Sequence, residues 1–210
     1  MTTPNENPEL KTSFSQIAHM NKGDEVRISE IDPSLKRVII GLGWDVPEEQ
    51  DGFPVDIDAS AFLLGRDGRV RQDTDFIFYN NLETEDGAIK HLGDNISGEG
   101  EGDDEKIEIR LDDLPFDIER IAFSVTMHNA EERRQNFGVV SNAYIRIVNE
   151  DTNTELARFD LSEDASEDNA MLFGELAREG AGWKFKAVGL GSGGGLYKIA
   201  REFGVNVSPN

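Results

Sequence analysis

The sequence contains no cysteine, and this absence excludes several kinds of site. Without thiols the chain cannot form disulfides, use a thiolate nucleophile or hold zinc through cysteine. Histidine is also scarce, with 3 in 210 residues, and none stands in the His-Glu-x-x-His pattern of zinc hydrolases. We therefore expect neither a zinc nor an iron centre.

Basic residues are few, and acidic residues outnumber them. The chain has 21 Lys and Arg against 42 Asp and Glu, which leaves a formal net charge of −21. Nucleic-acid binding needs clustered basic side chains, and no such cluster occurs. Direct binding to anionic lipid is disfavoured for the same reason. Two interpretations stay open: the charge serves solubility, or part of it forms a cation site.

Long apolar runs are missing as well. No segment approaches the roughly 20 apolar residues that a membrane-spanning helix requires. The first residues lack the basic and apolar regions of a signal peptide. We therefore expect a cytoplasmic protein without direct membrane insertion. Residues 1–12 are polar and rich in Pro and Asn, which predicts a flexible leader before a single domain at 13–210.

Short apolar segments broken by Gly, Asp and Asn fill the rest of the chain, and they predict β-strands. Residues 107, 109 and 111 alternate with polar residues in one predicted strand, and residues 121, 123, 125 and 127 share one face of another at 120–127. An Asp-Gly pair at 67–68 predicts a hairpin between the segments 56–64 and 75–79. The segment 170–178 fits either strand or helix, with Gly174 favouring strand.

This spacing predicts a mostly β fold, an antiparallel β-sandwich of about ten strands with a few short helices. The helices are expected at residues 130–137 and 196–203.

The strongest functional signal is an acidic, glycine-rich stretch at residues 93–105. Calcium takes six to eight oxygen ligands, including backbone carbonyls, and glycine lets a short loop turn several of these inward. Residues 94–105 have the length of an EF-hand loop but not its pattern, because Ile96, Gly98 and Glu99 occupy the third, fifth and sixth positions. The stretch contains the carboxylates of Asp94, Glu99, Glu101, Asp103, Asp104 and Glu105 and the neutral oxygen donors Asn95 and Ser97, and Gly98, Gly100 and Gly102 alternate with the acids.

A second group of donors is predicted at Asp56, Asp58 and Asn80. Strand alternation places both carboxylates on one face, with Ile57 and Ala59 toward the core. The predicted hairpin then returns Asn80 toward the Asp56 end. The alternative is that both aspartates form a solvated strand face. A third acidic patch, residues 160–168, lacks glycine and fits capping or turn formation instead.

Other motifs give little support for catalysis. The glycines at 189–194 match Rossmann spacing, but only 16 residues follow, too few for a βαβ unit. They are expected to form a tight turn before the last helix. His128 is expected to be a structural residue. Since no nucleophile or base stands out, we predict that the protein is not an enzyme; the alternative is a metal-dependent hydrolase or phosphotransferase using the same carboxylates.

Several segments together resemble the TerD (tellurium resistance) family, in one order from about residue 22 to residue 207. The clearest are Asp-Ile-Asp-Ala-Ser-Ala-Phe-Leu-Leu at 56–64, Phe-Ile-Phe-Tyr-Asn-Asn at 76–81, the acidic loop at 93–105, and Gly-Trp-Lys-Phe at 182–185. Further segments lie at residues 41–45, 135–138, 142–147 and 160–166. The chain departs from the family pattern at Asn129 and at 192–195.

The resemblance implies a calcium-binding β-sandwich that acts as a non-enzymatic binding module in bacterial stress response and tellurite resistance. It implies two calcium ions, with metal motifs that fall on Asp56 and Asp58 and, in the acidic loop, on Asp94, Asn95, Gly98, Gly100, Asp103, Asp104 and Glu105. It also implies a complex with other tellurite-resistance or stress proteins, at the inner membrane through a protein partner. Direct chemical detoxification of tellurite is disfavoured, because the chain has no cysteine and a strongly negative charge.

Overall fold

The computed structural model describes residues 17–46, 55–93, 102–161 and 167–207. The predicted leader at 1–12 and the loop residues 94–101 lie outside this part of the chain. Statements about contacts below concern the described residues.

Twelve strands and three short helices make up the described part of the chain. The strands are β1 (Ala18–Met20), β2 (Glu25–Val26), β3 (Arg37–Asp45), β4 (Ile57–Leu64), β5 (Phe76–Ile77), β6 (Ile89–His91), β7 (Glu105–Arg110), β8 (Arg120–Met127), β9 (Ser141–Asn149), β10 (Thr154–Asp160), β11 (Ala170–Glu179) and β12 (Gly182–Ser192). The helices are α1 (Ile28–Ile31), α2 (Ala130–Arg133) and α3 (Gly195–Glu202), with 3₁₀ turns at Asp73–Asp75 and Phe137–Val139.

The strands form two six-stranded sheets that pack as a sandwich. The first sheet has the order β1-β10-β9-β3-β7-β6 and the second has the order β2-β12-β11-β8-β4-β5. All pairs are antiparallel except β1 with β10, which is parallel. The predicted mostly β sandwich is confirmed. The expected count of about ten is exceeded because very short edge strands, such as β2 and β5, carry too few residues to show a period.

Alternation along the strands builds the main core between the sheets. On β4, Ile57, Ala59, Ala61 and Leu63 enter this core. Because successive strand residues point to opposite faces, Asp58, Ser60 and Phe62 lie on the outer face of the second sheet. This is the predicted orientation of β4.

A smaller apolar cluster covers part of that outer face. Phe62 stacks on Phe76 with ring centroids 4.5 Å apart, and its ring lies 4.8 Å from that of Phe203, which follows α3. Ile199 and Ala200 of α3 pack on the same cluster. The helix therefore docks on the second sheet through an apolar patch. The sequence predicted the helix but not this docking.

Two local predictions need correction. The helix expected at 130–137 stops at Arg133, because Arg134 adopts the left-handed region with φ of 54°. The glycine run at 189–194 is not a single turn, since β12 continues to Ser192 and only Gly193 and Gly194 separate it from α3. Gly191 stays in the strand, where a Cβ would overlap the carboxylate of Asp168. The segment 170–178 is strand, as Gly174 indicated.

Within the described residues, no helix has both the length and the apolar character that crossing a membrane requires.

The Phe62 cluster predicts a clear stability difference between two phenylalanines. Phe62→Ala removes a fully buried ring and is expected to lower the free energy of unfolding by about 3–5 kcal/mol. Phe116 is 93% exposed, so Phe116→Ala is expected to change it by less than about 0.5 kcal/mol. Urea denaturation of both variants measures this, and similar losses at the two positions would contradict the assigned packing.

Candidate functional site

The acidic loop is the tip of the β6–β7 hairpin. Strand β6 pairs with β7 in the register His91↔Ile107, and the Leu92 amide donates to the Lys106 carbonyl at 2.9 Å. The flanks of the loop are strands, as the sequence predicted. The predicted ligands Asp94, Asn95, Gly98 and Gly100 lie outside the described residues, whereas Asp103, Asp104 and Glu105 lie within them.

The carboxylate of Asp104 holds the end of this loop to β3. Its Oδ2 accepts a hydrogen bond from the Trp44 amide at 2.7 Å, and its own amide donates to the Leu42 carbonyl at 2.8 Å. These two bonds continue the β3–β7 pairing beyond Glu105. The loop end is therefore fixed in the first sheet through both its backbone and a side chain.

Glu105 extends the attachment to the second sheet. Its Oε2 accepts a hydrogen bond from the Ala59 amide at 3.2 Å, and Nε2 of His91 lies 2.8 Å from the same oxygen. Both side chains are almost fully buried. A buried carboxylate requires such partners, since desolvation without them is costly. The contact at Ala59 brings the loop end to the residue directly after Asp58.

Asp103 binds to the outer face of the first sheet. The Arg146 guanidinium donates to both carboxylate oxygens, from Nε to Oδ1 at 2.7 Å and from its terminal nitrogen to Oδ2 at 3.0 Å. The Tyr144 hydroxyl donates to Oδ1 at 3.0 Å. Planar two-point pairing of this kind is among the stronger side-chain interactions. The structure thus gives Asp103 an ion pair; its assignment as a metal ligand stays a prediction.

Two glycines of β3 make room for this arrangement. Gly41 pairs with Arg146 and Gly43 pairs with Tyr144 across the β3–β9 ladder. A Cβ at Gly41 would overlap the Asp103 carboxylate, and one at Gly43 would overlap the Tyr144 ring. Any other residue at either position would displace the groups that hold the loop end.

The electrostatics of this cluster follow from burial and charge. Burial raises the pKa of Tyr144 to about 12, and the nearby Asp103 carboxylate adds to the shift. The hydrogen bond to Asp103 raises the pKa of Arg146 above its usual value, with Glu155 contributing in the same direction. Arg158 stacks over the Tyr144 ring at 3.7 Å from its centroid. The tyrosine therefore keeps its proton and donates a hydrogen bond to Asp103.

The predicted second donor group, around Asp58, lies on the face of β4 that points away from the core. Asp58 is buried on the outer face of the second sheet, and its Oδ2 is 3.7 Å from Nδ1 of His128. The Asp56 carbonyl accepts a hydrogen bond from the His128 amide at 2.8 Å. Asn80 is exposed in the tight turn after β5. That strand pairs Ala61 with Ile77, so the chain returns toward the Asp58 end of β4 as predicted.

His128, expected to be a structural residue, lies at a partly exposed position. Its side chain is 38% exposed, and its ring lies edge-on to Tyr79 with centroids 6.0 Å apart. It therefore lines a surface cleft together with Asp58 and Tyr79.

The donors predicted at the acidic loop are oxygens, which is the ligand type that a hard divalent cation takes. Among residues 17–46, 55–93, 102–161 and 167–207, no group of three or more His, Cys, Asp or Glu side chains is placed to hold a metal ion. The side chains that the structure fixes at the base of the loop nevertheless present oxygen donors, and the nearby imidazole of His91 is bound to Glu105. Oxygen donors on a clamped glycine-rich hairpin suit calcium better than zinc.

Sequence reasoning missed the partners that position the loop, namely His91, Tyr144 and Arg146. Arg146 lies 43 residues beyond Asp103. No local period links these positions, so the pairing emerges only from the β3–β9 register. The Gly-x-Gly at 41–43 removes two side chains from one face of β3. It was the available sequence signal that other side chains pack against that face.

The two packed sheets and the acidic hairpin define a β-sandwich protein, and the comparisons identify the family. The TerD domain model matches residues 17–203. The chain therefore belongs to the TerD family.

Relatives and a solved structure agree with this assignment. The chain is 55% identical to the tellurium resistance protein TerD of an Alcaligenes species, over 90% of this chain and 98% of that protein. It is 48% identical to general stress protein 16U of Bacillus subtilis (strain 168), over 89% of this chain and 96% of that protein. The crystal structure of a TerD homologue from Streptomyces coelicolor A3(2) superposes with a TM-score of 0.65 at 25% identity, covering 80% of this chain and 96% of that one.

The ion pair between Arg146 and Asp103 is expected to stabilise the domain substantially. Arg146→Met leaves a buried carboxylate without its main partner and is expected to lower the free energy of unfolding by about 2–4 kcal/mol. Arg110 pairs with Glu108 at the surface, so Arg110→Met is expected to cost less than about 1 kcal/mol. Chemical denaturation compares the two, and equal losses would refute a special contribution from Asp103.

The raised pKa of Tyr144 predicts an alkaline loss of stability. A raised folded-state pKa contributes stability that is complete below the unfolded pKa of about 10 and is lost as the pH rises through about 12. Between about pH 9 and about pH 11, the wild type is therefore expected to lose more unfolding free energy than Tyr144→Phe, by at most about 1 kcal/mol per pH unit. Parallel pH profiles, measured by urea denaturation, would show that Tyr144 titrates normally.

Proposed function

We propose that this TerD-family protein is a calcium-binding, non-enzymatic module acting in bacterial stress response and tellurium resistance. The stress role is supported by its relatives, whose names include a tellurium resistance protein TerD and a general stress protein. The calcium role rests chiefly on one observation: the acidic hairpin loop is anchored at its C-terminal end in both sheets, through Asp104 on β3 and Glu105 at Ala59.

The anchoring supports ion binding because it lowers the entropy cost of forming a ligand shell. An acidic loop with free ends would have to order its backbone on binding. Here the base of the loop is fixed by Leu92 and Lys106 on the hairpin, and by the side chains of Asp103, Asp104 and Glu105. We propose that the predicted loop donors complete the shell, with Asp56, Asp58 and Asn80 as donors to a second ion.

A bound calcium ion would supply positive charge and hard Lewis acidity at the loop. The chain itself contributes six carboxylates within residues 94–105, and these repel one another. Neutralising them favours a single ordered loop surface, which a partner protein can recognise. We propose that this surface mediates assembly with other tellurite-resistance or stress proteins, in the cytoplasm or at the inner membrane through a protein partner.

The structure refines which residues can test the calcium proposal. Asp103 and Asp104 both make contacts in the described part of the chain, so removing them would destabilise the domain whether or not calcium binds. Asp94 lies in the loop at the predicted ligand position nearest to β6. Asp112 is an exposed acid in the turn after β7 and provides a charge-matched control.

Calcium is expected to raise the melting temperature of the wild type. Ligand at one hundred times its dissociation constant adds about 2.7 kcal/mol, which corresponds to roughly 5–10 °C for a domain of this size. Asp94→Asn is expected to lose most of this rise while melting like the wild type in chelator, whereas Asp112→Asn keeps it. Differential scanning calorimetry with calcium or chelator measures both, and an identical melting temperature in the two would sink the proposal.

A further inference from the structure

A single phenylalanine projects from the connection between β7 and β8. Phe116 is 93% exposed, whereas the other exposed large apolar side chains among the described residues range from 36% to 57%. Scattered apolar residues are common on protein surfaces and need no explanation by themselves. A ring exposed to this extent is different when the backbone beneath it is fixed, because the ring then cannot fold back onto the protein.

The backbone beneath Phe116 is held from several sides. The Ile118 amide donates to the Pro115 carbonyl at 3.0 Å, which closes a turn with Phe116 at its apex. Leu114 and Ile118 are buried on either side of this apex. Arg178 of β11 binds the turn, with Nε donating to the Ile118 carbonyl at 2.7 Å. A terminal nitrogen of the same arginine donates to the carbonyls of Leu114 and Pro115, both at 3.2 Å. The turn therefore presents the ring in one position, which lowers the entropy cost of binding.

Two exposed arginines lie beside this turn, in the connection between β4 and β5. The Glu119 amide donates to the last carbonyl of β4 at 2.9 Å, so the two connections adjoin. Arg66 is 93% exposed and lies 3.7 Å from Glu119, beyond hydrogen-bond length, so this ion pair is weak. Arg69 is also exposed, and it forms no ion pair within the part of the chain that the structure describes. Both guanidinium groups can therefore pair with carboxylates of another molecule.

Acidic side chains also lie near the turn. Asp117, next to Phe116, is already paired with Arg71 at 2.7 Å. Asp112 and Asp113 precede the apex by four and three residues. The exposed positive charge thus lies on the side of the apex toward the connection between β4 and β5.

A cleft that can receive an aromatic ring opens at the other end of β8, on the outer face of the second sheet. It has a volume of about 440 Å³ and lies between the turn after β5 and the start of α3. Phe76, Phe78, Ala200 and Val207 line its apolar side, and all four pack in the smaller apolar cluster on that face. Aromatic side chains bury about 150–250 Å² each and pack favourably edge-on or offset against other rings. The cleft therefore offers a phenylalanine both space and suitable contacts.

The rim of this cleft is acidic. Glu131 and Glu132 of α2 line it, and both are exposed. The imidazole of His128 lines it as well, but no Lys or Arg is found among the described residues around it. Charges of opposite sign on two surfaces steer association and fix its orientation. Two exposed arginines beside the ring of one molecule therefore match two exposed glutamates around the cleft of another.

The ring and the cleft are too far apart to meet within one molecule. Phe116 precedes the first residue of β8, and the cleft opens beyond the last. The strand has 8 residues, so at about 3.4 Å per residue its two ends are about 25 Å apart. Since β8 lies between β11 and β4 in the second sheet, it cannot bend to bring its ends together. Contact between these two features requires two copies of the chain.

We propose that copies of this chain associate head to tail, with Phe116 of one copy inserted into the outer-face cleft of the next. The two exposed arginines beside the ring pair with the two glutamates of the rim. Because the contact joins two different surfaces, a pair still has one free ring and one free cleft, so the assembly grows with concentration. The ring occupies the apolar side of the cleft and makes no use of the Asp58 carboxylate. The proposal therefore goes beyond calcium binding and does not depend on it.

Sedimentation velocity over a range of protein concentrations tests the association. The sedimentation coefficient of the wild type is expected to rise with concentration, and added salt is expected to reduce the rise. Phe116→Ala is expected to weaken association at least about tenfold, because it removes the anchoring ring. The double variant Glu131→Arg, Glu132→Arg is expected to weaken it to a similar extent by placing like charges across the contact. Leu190→Ala, which removes another exposed apolar side chain, is the matched control and is expected to associate like the wild type.

A mixture of the two deficient variants tests the head-to-tail geometry. Phe116→Ala keeps an intact cleft and the glutamate double variant keeps the ring, so one productive contact remains between them. Equimolar mixing is expected to give one-to-one dimers that grow no further, although each variant alone stays monomeric. A contact between two equivalent surfaces would give no such rescue. If the double variant fails to fold, as judged by circular dichroism, Tyr197→Ala takes its place, since that ring is a partly exposed wall of the cleft.

Three results would overturn the proposal. The first is a wild type that stays monomeric at every concentration. The second is association of Phe116→Ala as strong as that of the wild type, which would place the contact elsewhere on the surface. The third is a variant mixture that stays monomeric, which would assign Phe116 to a symmetric contact or to a different partner protein.

Discussion

The contact of Glu105 with β4 is the constraint on which the rest of this end of the molecule depends. β7 belongs to the first sheet and β4 to the second, so the Glu105 carboxylate joins the two sheets at the C-terminal end of the acidic loop. Its burial is tolerated because His91 and the Ala59 amide lie at its oxygen. Once Glu105 is fixed, the loop that precedes it must start and end at the edge of the sandwich.

Three consecutive acidic residues at the end of the loop make contacts in three different directions. Asp103 binds outward to Arg146 and Tyr144, Asp104 binds along the sheet to the Trp44 amide, and Glu105 binds across the core to Ala59. Sequence composition alone suggests six equivalent carboxylates. The structure shows instead that the last three make different contacts with the two sheets, and their assignment as metal ligands stays a prediction.

The sequence predicted regular elements well where one physical rule governed them. β8 was expected at residues 120–127 and occupies those residues, because its alternating core side chains follow the strand period without interruption. The helix at 130–137 was overestimated, since nothing in a single sequence reveals that Arg134 takes a left-handed conformation. For the site, oxygen-rich composition indicated the loop, but the partners of its acids come from strands paired at long range and cannot be read from spacing.

Because hydrogen bonding closes the base of the β6–β7 hairpin, the acidic loop can change in length and sequence without changing the strands. Leu92 and Lys106 hold the two loop ends at hydrogen-bonding distance whatever lies between them. The entropy of closing such a loop grows only with the logarithm of its length, so doubling the length costs about 0.6 kcal/mol. Insertions, deletions or altered side chains at this tip can therefore be accommodated with little effect on the sandwich, so long as the last three acids keep their contacts.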